Sequence, residues 1–79
     1  MPLYFFDTRH GDKLSQDDLG INLPSLEAVQ LEAAMSLTEL VRGLVAGSLR
    51  RELVIEVRDA LGPVLTARMR FEAVVLRPN

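Results

Sequence analysis

SLEAVQLEAAMSLTELVRGLV, residues 25–45, is the one segment of this chain long and periodic enough to be a helix. Leu26, Val29, Ala33, Leu37, Leu40, Val41 and Leu44 recur at steps of three and four, which at about 100° per residue gathers them on one face. That face is the expected core stripe. Ser25 is placed to cap the N-terminus, its hydroxyl accepting from an amide of the first turn, and Glu27 sits where the helix dipole favours an anion. Gly43 weakens the last turn and Gly47 suits a left-handed cap, so the chain is expected to leave the helix near Ala46. Such a helix would run for about six turns, or roughly 30 Å at 1.5 Å per residue.

Toward the N-terminus, Leu3, Tyr4, Phe5, Phe6, Asp7 and Thr8 read as a strand with large apolar groups on both faces, which predicts a central position in a sheet. Arg9 to Asp12 supply turn chemistry. Residues 15–20 read as a polar loop ending in Asp17-Asp18-Leu19-Gly20, and Ile21 to Leu23 as a short second strand. Pro24 lacks an amide donor and stops that strand just ahead of the helix cap.

Beyond the helix, Leu53, Ile55 and Val57 alternate with Val54, Glu56 and Arg58, the pattern of a strand with one buried face. Asp59-Ala60-Leu61-Gly62 suits a type I turn with Gly62 at positive φ, a three-residue loop that pairs Asp59 with Pro63. Counting outward places Val57 opposite Leu65, Ile55 opposite Ala67 and Leu53 opposite Met69, so one register puts every strong apolar residue on one face. The other face would hold Glu52, Val54, Glu56, Arg58, Val64, Thr66, Arg68 and Arg70. Glu52 then stands opposite Arg70 and Glu56 diagonal to Arg68, a face that is solvated, or ionic and turned to a partner. The fold class expected is α+β, in the order β-β-α-β-β, with one long helix packed on one face of a mostly antiparallel, four-stranded sheet.

The 79 residues, 48% of them apolar and 25% charged, describe a single small domain over residues 1–79 with no room for a second core. A domain of this size buries only about 60% of its unfolded surface, and the absence of cysteine removes disulfides and thiolate metal sites as supports. A partner subunit is the remaining support, and a homodimer is expected. Neither an export signal nor a run of about 18 apolar residues is visible, which points to a cytoplasmic protein with no membrane contact. Net charge is −2, yet residues 1–40 hold seven acids against Arg9 and Lys13 while residues 41–79 hold seven arginines against four acids. Pairing between the two halves within one domain is the simpler use of that asymmetry, and it argues against nucleic acid as a partner.

With these pieces in place, the chain resembles a family of short bacterial proteins of unknown function, numerous in rhizobia and related soil alphaproteobacteria. The shared features are Tyr4-Phe5-Phe6, an Asp-x-x-Gly turn before Leu23-Pro24, the helix opening Leu26-Glu27-Ala28, and Ile55-Glu56-Val57-Arg58-Asp59 followed by Gly62. They span roughly residues 3–71 in the same order. The resemblance implies a compact α+β domain and offers no catalytic residues to transfer. Ala60-Leu61 is more apolar than the acidic turn of that family, and residues 72–79 run past its usual end. In topology, a strand hairpin leading into Leu23-Pro24-Ser25-Leu26-Glu27 and a helix is also similar to HicB-type antitoxins.

His10, with Asp7, Asp12 and Asp17 near it in sequence, is the one combination that resembles a metal site, and a single histidine in a turn among solubilising acids is its ordinary reading. There is no second histidine and no glycine-rich phosphate loop, and Ser25 and Ser36 have no base in their sequence context. No enzyme, metal or cofactor is therefore expected. Arg50-Arg51 reads as cover for a helix C-terminus rather than a phosphate grip. What stands out instead is apolar and basic surface: Leu31 and Met35, four apart on the face away from the core stripe, Arg68 and Arg70 on the outer face of the last strand, and Val74, Val75 and Leu76 in an apolar run without a hairpin partner. Backbone in such a run does not stay buried unpaired, so it is expected to pair with the first strand or with the sheet edge of a second copy, the latter preferred. The expected role is a non-enzymatic interaction or regulatory module working as a homodimer with an unidentified protein partner; the alternatives are an antitoxin-like regulator of a protein or DNA and, more remotely, a small metal-dependent enzyme.

Overall fold

A computed structural model describes residues 2–44 and 50–77. The elements are β1 (Leu3–His10), β2 (Lys13–Ser15), β3 (Ile21–Asn22), α1 (Leu26–Leu44), β4 (Arg50–Asp59) and β5 (Gly62–Glu72). The class is α+β, with a single helix and one antiparallel sheet of five strands in the order β2-β1-β4-β5, β3 pairing with β1 beside β2. The aromatic first strand is central, as its two apolar faces require. It runs two residues further than expected because Gly11-Asp12 forms the whole turn: His10 pairs with Lys13, and Gly11 takes φ +62°. That tight turn creates β2, a strand the polar loop reading had missed.

Strand alternation assigns the two faces of the sheet. Tyr4, Leu53, Ile55 and Val57 turn toward α1 and form the core with Val29, Ala33 and Leu37, while Phe6, Leu23, Leu40, Val41, Val64, Leu65, Ala67 and Met69, partly buried, pack around it. Burial of each large apolar side chain in this cluster stabilises the fold by roughly 1.5–3 kcal/mol relative to exposure. Leu26, expected on the core stripe, is 53% exposed; Leu23, just ahead of the helix, packs against the cluster instead. Ser25 caps the helix as expected, its Oγ accepting from the Ala28 amide at 3.1 Å. The helix exit near Ala46 and the Gly47 cap lie outside the described residues, as does the side chain of Leu44.

The second hairpin keeps the expected register from Arg51 opposite Phe71 to Val57 opposite Leu65, including Glu52 opposite Arg70. The turn differs. Arg58 pairs with Pro63 and Asp59 with Gly62, so the loop is Ala60-Leu61 alone and Val64 is the extra residue of a bulge. Asp59 accepts from the Leu61 amide at 2.8 Å, which favours the shorter turn, and Gly62 has the expected positive φ, at +125°. Val54, expected on a solvated face, is buried. Its strand is flanked on both sides, with Arg9 and Arg68 as its register neighbours.

The apolar run after Phe71 does not continue as a strand. β5 ends at Glu72, residues 73–77 carry no ladder, and Val74, Val75 and Leu76 are exposed. Pairing of this run with the first strand of the same chain is ruled out by topology, because β4 holds one side of β1 while β2 and β3 share the other.

Two glycines at positive φ separate backbone strain from crowding. A Cβ on Gly62 meets nothing within 4 Å, whereas on Gly20 (φ +74°) it would stand 2.9 Å from Leu3 Cδ1 and 3.0 Å from Phe5 Cε1. Gly62→Ala should therefore cost about 1 kcal/mol from conformation alone, and Gly20→Ala distinctly more. Urea midpoints of the two variants check this; equal losses would show that Leu3 and Phe5 yield freely.

Candidate functional site

The polar centre of the molecule lies on the face of the sheet away from α1. β2 and β3 leave a gap along the edge of β1, between the pair Thr8–Ser15 and the pair Tyr4–Ile21. Phe6 falls in that gap, and its amide, without a strand to pair with, donates to Asp17 Oδ2 at 3.1 Å. Asp17 Oδ1 accepts from the Leu19 and Gly20 amides at 3.0 and 3.1 Å, which closes the Asp-x-x-Gly turn. The Asp17 amide in turn donates to Asp7 Oδ1 at 2.9 Å. One carboxylate thus takes over the ladder position that the missing strand residues would have filled.

Arg58 closes the network from β4. Its Nε donates to Asp7 Oδ2 at 2.8 Å, and Nη2 donates to Asp7 Oδ1 at 3.4 Å and to the Asp17 carbonyl at 3.1 Å. The guanidinium also lies over the Phe5 ring, 4.5 Å from its centroid. Asp7 is buried and polar, yet none of the described buried side-chain oxygens or nitrogens lacks a partner. Desolvation pushes the Asp7 carboxyl upward, but the Arg58 hydrogen bond, the Asp17 amide and the Arg58 charge outweigh it and hold the group below the usual carboxylate range. Asp17 behaves alike: burial raises it, and the amides of Phe6, Gly20 and Leu19 with the Arg58 charge bring it below its ordinary value. Arg58 is held above its usual value chiefly by the hydrogen bond to Asp7.

Asp7 and Asp17, grouped by sequence with His10, are thus engaged by Arg58 and by backbone amides. His10 stands opposite Leu53 on the helix side of the sheet, whereas Asp7 points to the other side. The four residues of the supposed metal site are not brought together, and no cluster of three or more metal-ligating side chains occurs among the described residues. Glu56, expected to meet Arg68, pairs instead with Arg9 Nε at 3.3 Å, because β1 rather than β5 supplies its nearer cation. Arg70 meets Glu52 at 3.6 Å, as the register requires, and both are well exposed, so this pair contributes little.

The residues singled out as surface are all exposed. Leu31 and Met35 stand on α1 away from the sheet, Arg68 and Arg70 on the outer face of β5, and Val74, Val75 and Leu76 beyond its end. The structure adds Leu61, 96% exposed at the tip of the hairpin, and an apolar recess of about 420 Å³ between α1 and β5, lined by Gln30, Ala34, Leu37, Leu65, Ala67 and Met69 among others. Neither was anticipated. Leu61 stood out in the sequence only as part of a turn more apolar than the resemblance implies, and the recess depends on how far α1 stands from the outer strand. Its outer boundary is the edge of β5, to which no strand is paired among the described residues.

Residues 3–70 match a family model described as a domain of unknown function, DUF6894, and the chain belongs to that family. The match ends two residues before β5 does, so the exposed run at Val74, Val75 and Leu76 lies past it. No curated protein and no solved structure matches the chain. No helix among the described residues is long and apolar enough to cross a membrane.

The two lowered carboxyls tie stability to pH in a stated direction. A group whose folded pKa is depressed contributes stability that is fully present above its unfolded value, about 3.9 for aspartate, and is lost as pH falls through the folded value. Asp17→Asn should therefore destabilise the protein at neutral pH and show a shallower loss of stability below about pH 4 than the parent. Urea midpoints across pH 2–7 measure both; parallel acid limbs would show that Asp17 has no part in the linkage.

Proposed function

We propose that this DUF6894 family member is a non-enzymatic interaction module of the cytoplasm that works as a homodimer. The observation that carries the reading is the outer side of β5, an eleven-residue strand at the end of the sheet to which no further strand is paired among the described residues. Edge strands of that length invite pairing with another chain, and proteins that must avoid it shorten, bulge or cover them. Here the bulge and Pro63 blunt only the first residues, and the stretch from Leu65 to Phe71 is regular. Exposed apolar groups at the turn tip and beyond the strand end add surface that a monomer leaves in water. The chemistry of the polar centre fits the same role: its two carboxylates are spent on holding the β2–β3 loop to the sheet, which stiffens the platform behind that edge.

A second reading, an antitoxin-like regulator that touches DNA, is favoured by one observation: Arg68 and Arg70 project from the same exposed face, and Arg68 has no anionic partner among the described residues. Retention on duplex DNA that falls steeply with salt, and falls again in Arg68→Ala, would move the assignment to that reading.

Light scattering of the full chain is expected to give twice the monomer mass at micromolar concentration. Truncation after Glu72 should shift the equilibrium toward monomer. A full chain that stays monomeric at high micromolar concentration would overturn the homodimer.

A further inference from the structure

We infer that the partner seated on the β5 edge is a second copy of this chain, joined through antiparallel β5–β5 pairing about a two-fold axis at Ala67. The inference rests on the homodimer reading above and specifies its interface.

Symmetry limits the options. A two-fold axis that pairs two identical edges antiparallel must run perpendicular to the sheet, so helix-facing side chains meet helix-facing ones and both helices lie on the same side. Three registers centre on the middle of the eleven-residue strand and pair most of its length. Centred on Arg68, the pairing sets two guanidinium groups directly opposite each other, which is unfavourable. Centred on Thr66, it sets Met69 against Pro63, which cannot donate to a ladder, so uninterrupted pairing spans only Val64 to Arg68. Centred on Ala67, it sets Leu65 against Met69 on the helix side and Thr66 against Arg68 on the outer side, with the small Ala67 pair on the axis, and Pro63 falls against Phe71 only near the strand's end, leaving Val64 to Arg70 uninterrupted. That register has apolar pairs inside and no like charges directly opposite.

The same register accounts for features that a monomer leaves unexplained. The recess between α1 and β5 opens at this edge, and its lining is uncharged except for Arg68, which this register sets opposite Thr66 of the partner chain. Across the axis it would face its own copy, so a mainly apolar surface meets a mainly apolar surface with no like charges directly opposite. At the ends of the strand the match is more specific. Antiparallel pairing brings the start of one β5 beside the end of the other: Glu72 of one chain reaches Gly62 of its partner, and the next residues run alongside the Ala60-Leu61 turn. Leu61, 96% exposed, and the run Val74, Val75 and Leu76, up to 92% exposed, are thereby brought together at both ends of the interface. Two apolar features at opposite ends of one strand, each without cover in the monomer, meet only when the strand pairs antiparallel with itself.

The experiment places nitroxide labels on single cysteines in the otherwise cysteine-free full chain, at Thr66 on β5 and at Lys13 on β2, the opposite edge of the sheet. In the proposed dimer the two Thr66 positions are diagonal neighbours at about 7–8 Å, close enough to broaden each other's spectra. The two Lys13 positions are separated by seven strand spacings and lie roughly 35 Å apart. Leu61→Asp should weaken dimerisation by about tenfold or more while the monomer fold is unchanged, because the side chain touches the core nowhere in the monomer. Broadened spectra at position 66, a long distance at position 13 and a weakened Leu61→Asp dimer would support the interface. A dimer with Lys13 labels close together, or with Leu61→Asp at parental affinity, would overturn it while leaving the homodimer standing. A full chain that is monomeric by sedimentation would overturn both.

Discussion

The pairing of β1 with β4 in the middle of the sheet is the constraint on which the remaining structure depends. It joins the first ten residues to the sixth decade of the chain, and its helix side carries Tyr4, Phe6, Leu53, Ile55 and Val57, the greater part of the core that α1 covers. Non-local pairing of this kind closes a long loop before it gains any contact, so it requires strong apolar reward on the strands that meet. Both strands supply it. Their neighbours on either side, the three-residue β2 and the two-residue β3 on one flank and β5 on the other, are held in place by it.

On the face away from the helix the same pairing is fastened by charge. Asp7 and Arg58 arrive from β1 and β4, and Asp17 joins them from a loop that would otherwise leave the Phe6 amide unpaired. A buried carboxylate is costly unless its hydrogen bonds are complete, and here they are. The arrangement is a structural lock: it engages Asp7 and Asp17, two of the three acids that the sequence groups with the only histidine.

Much of this was legible in residues. The alternation of Leu53, Ile55 and Val57 against Leu65, Ala67 and Met69 admitted one register with a buried face, and the structure has that register from Arg51 to Val57. Ser25 announced a helix cap through its position before a three-four stripe, and Gly62 announced a positive φ. Less legible was the turn itself, since a three-residue loop and a two-residue loop with a bulge use the same residues and differ only in where the spare one, Val64, is accommodated. β2 was hidden because its three residues are all exposed and carry no apolar alternation; only the pairing with β1 defines it.

The sequence by itself determined the helix, four of the five strands, their order and the apolar face most of them bury, because those follow from local periodicity and from residues whose backbone preferences are narrow. Only the tertiary structure decided which groups share the outer face: that Arg58 takes Asp7 and not a glutamate on its own strand, that Glu56 takes Arg9, and that Asp17 fills a vacant ladder position eleven residues away along the chain. The physical reason is that a strand pattern states which way a side chain points but not which strand lies beside it. Strand order sets the neighbours, and strand order is the outcome of competition among all apolar faces for one core.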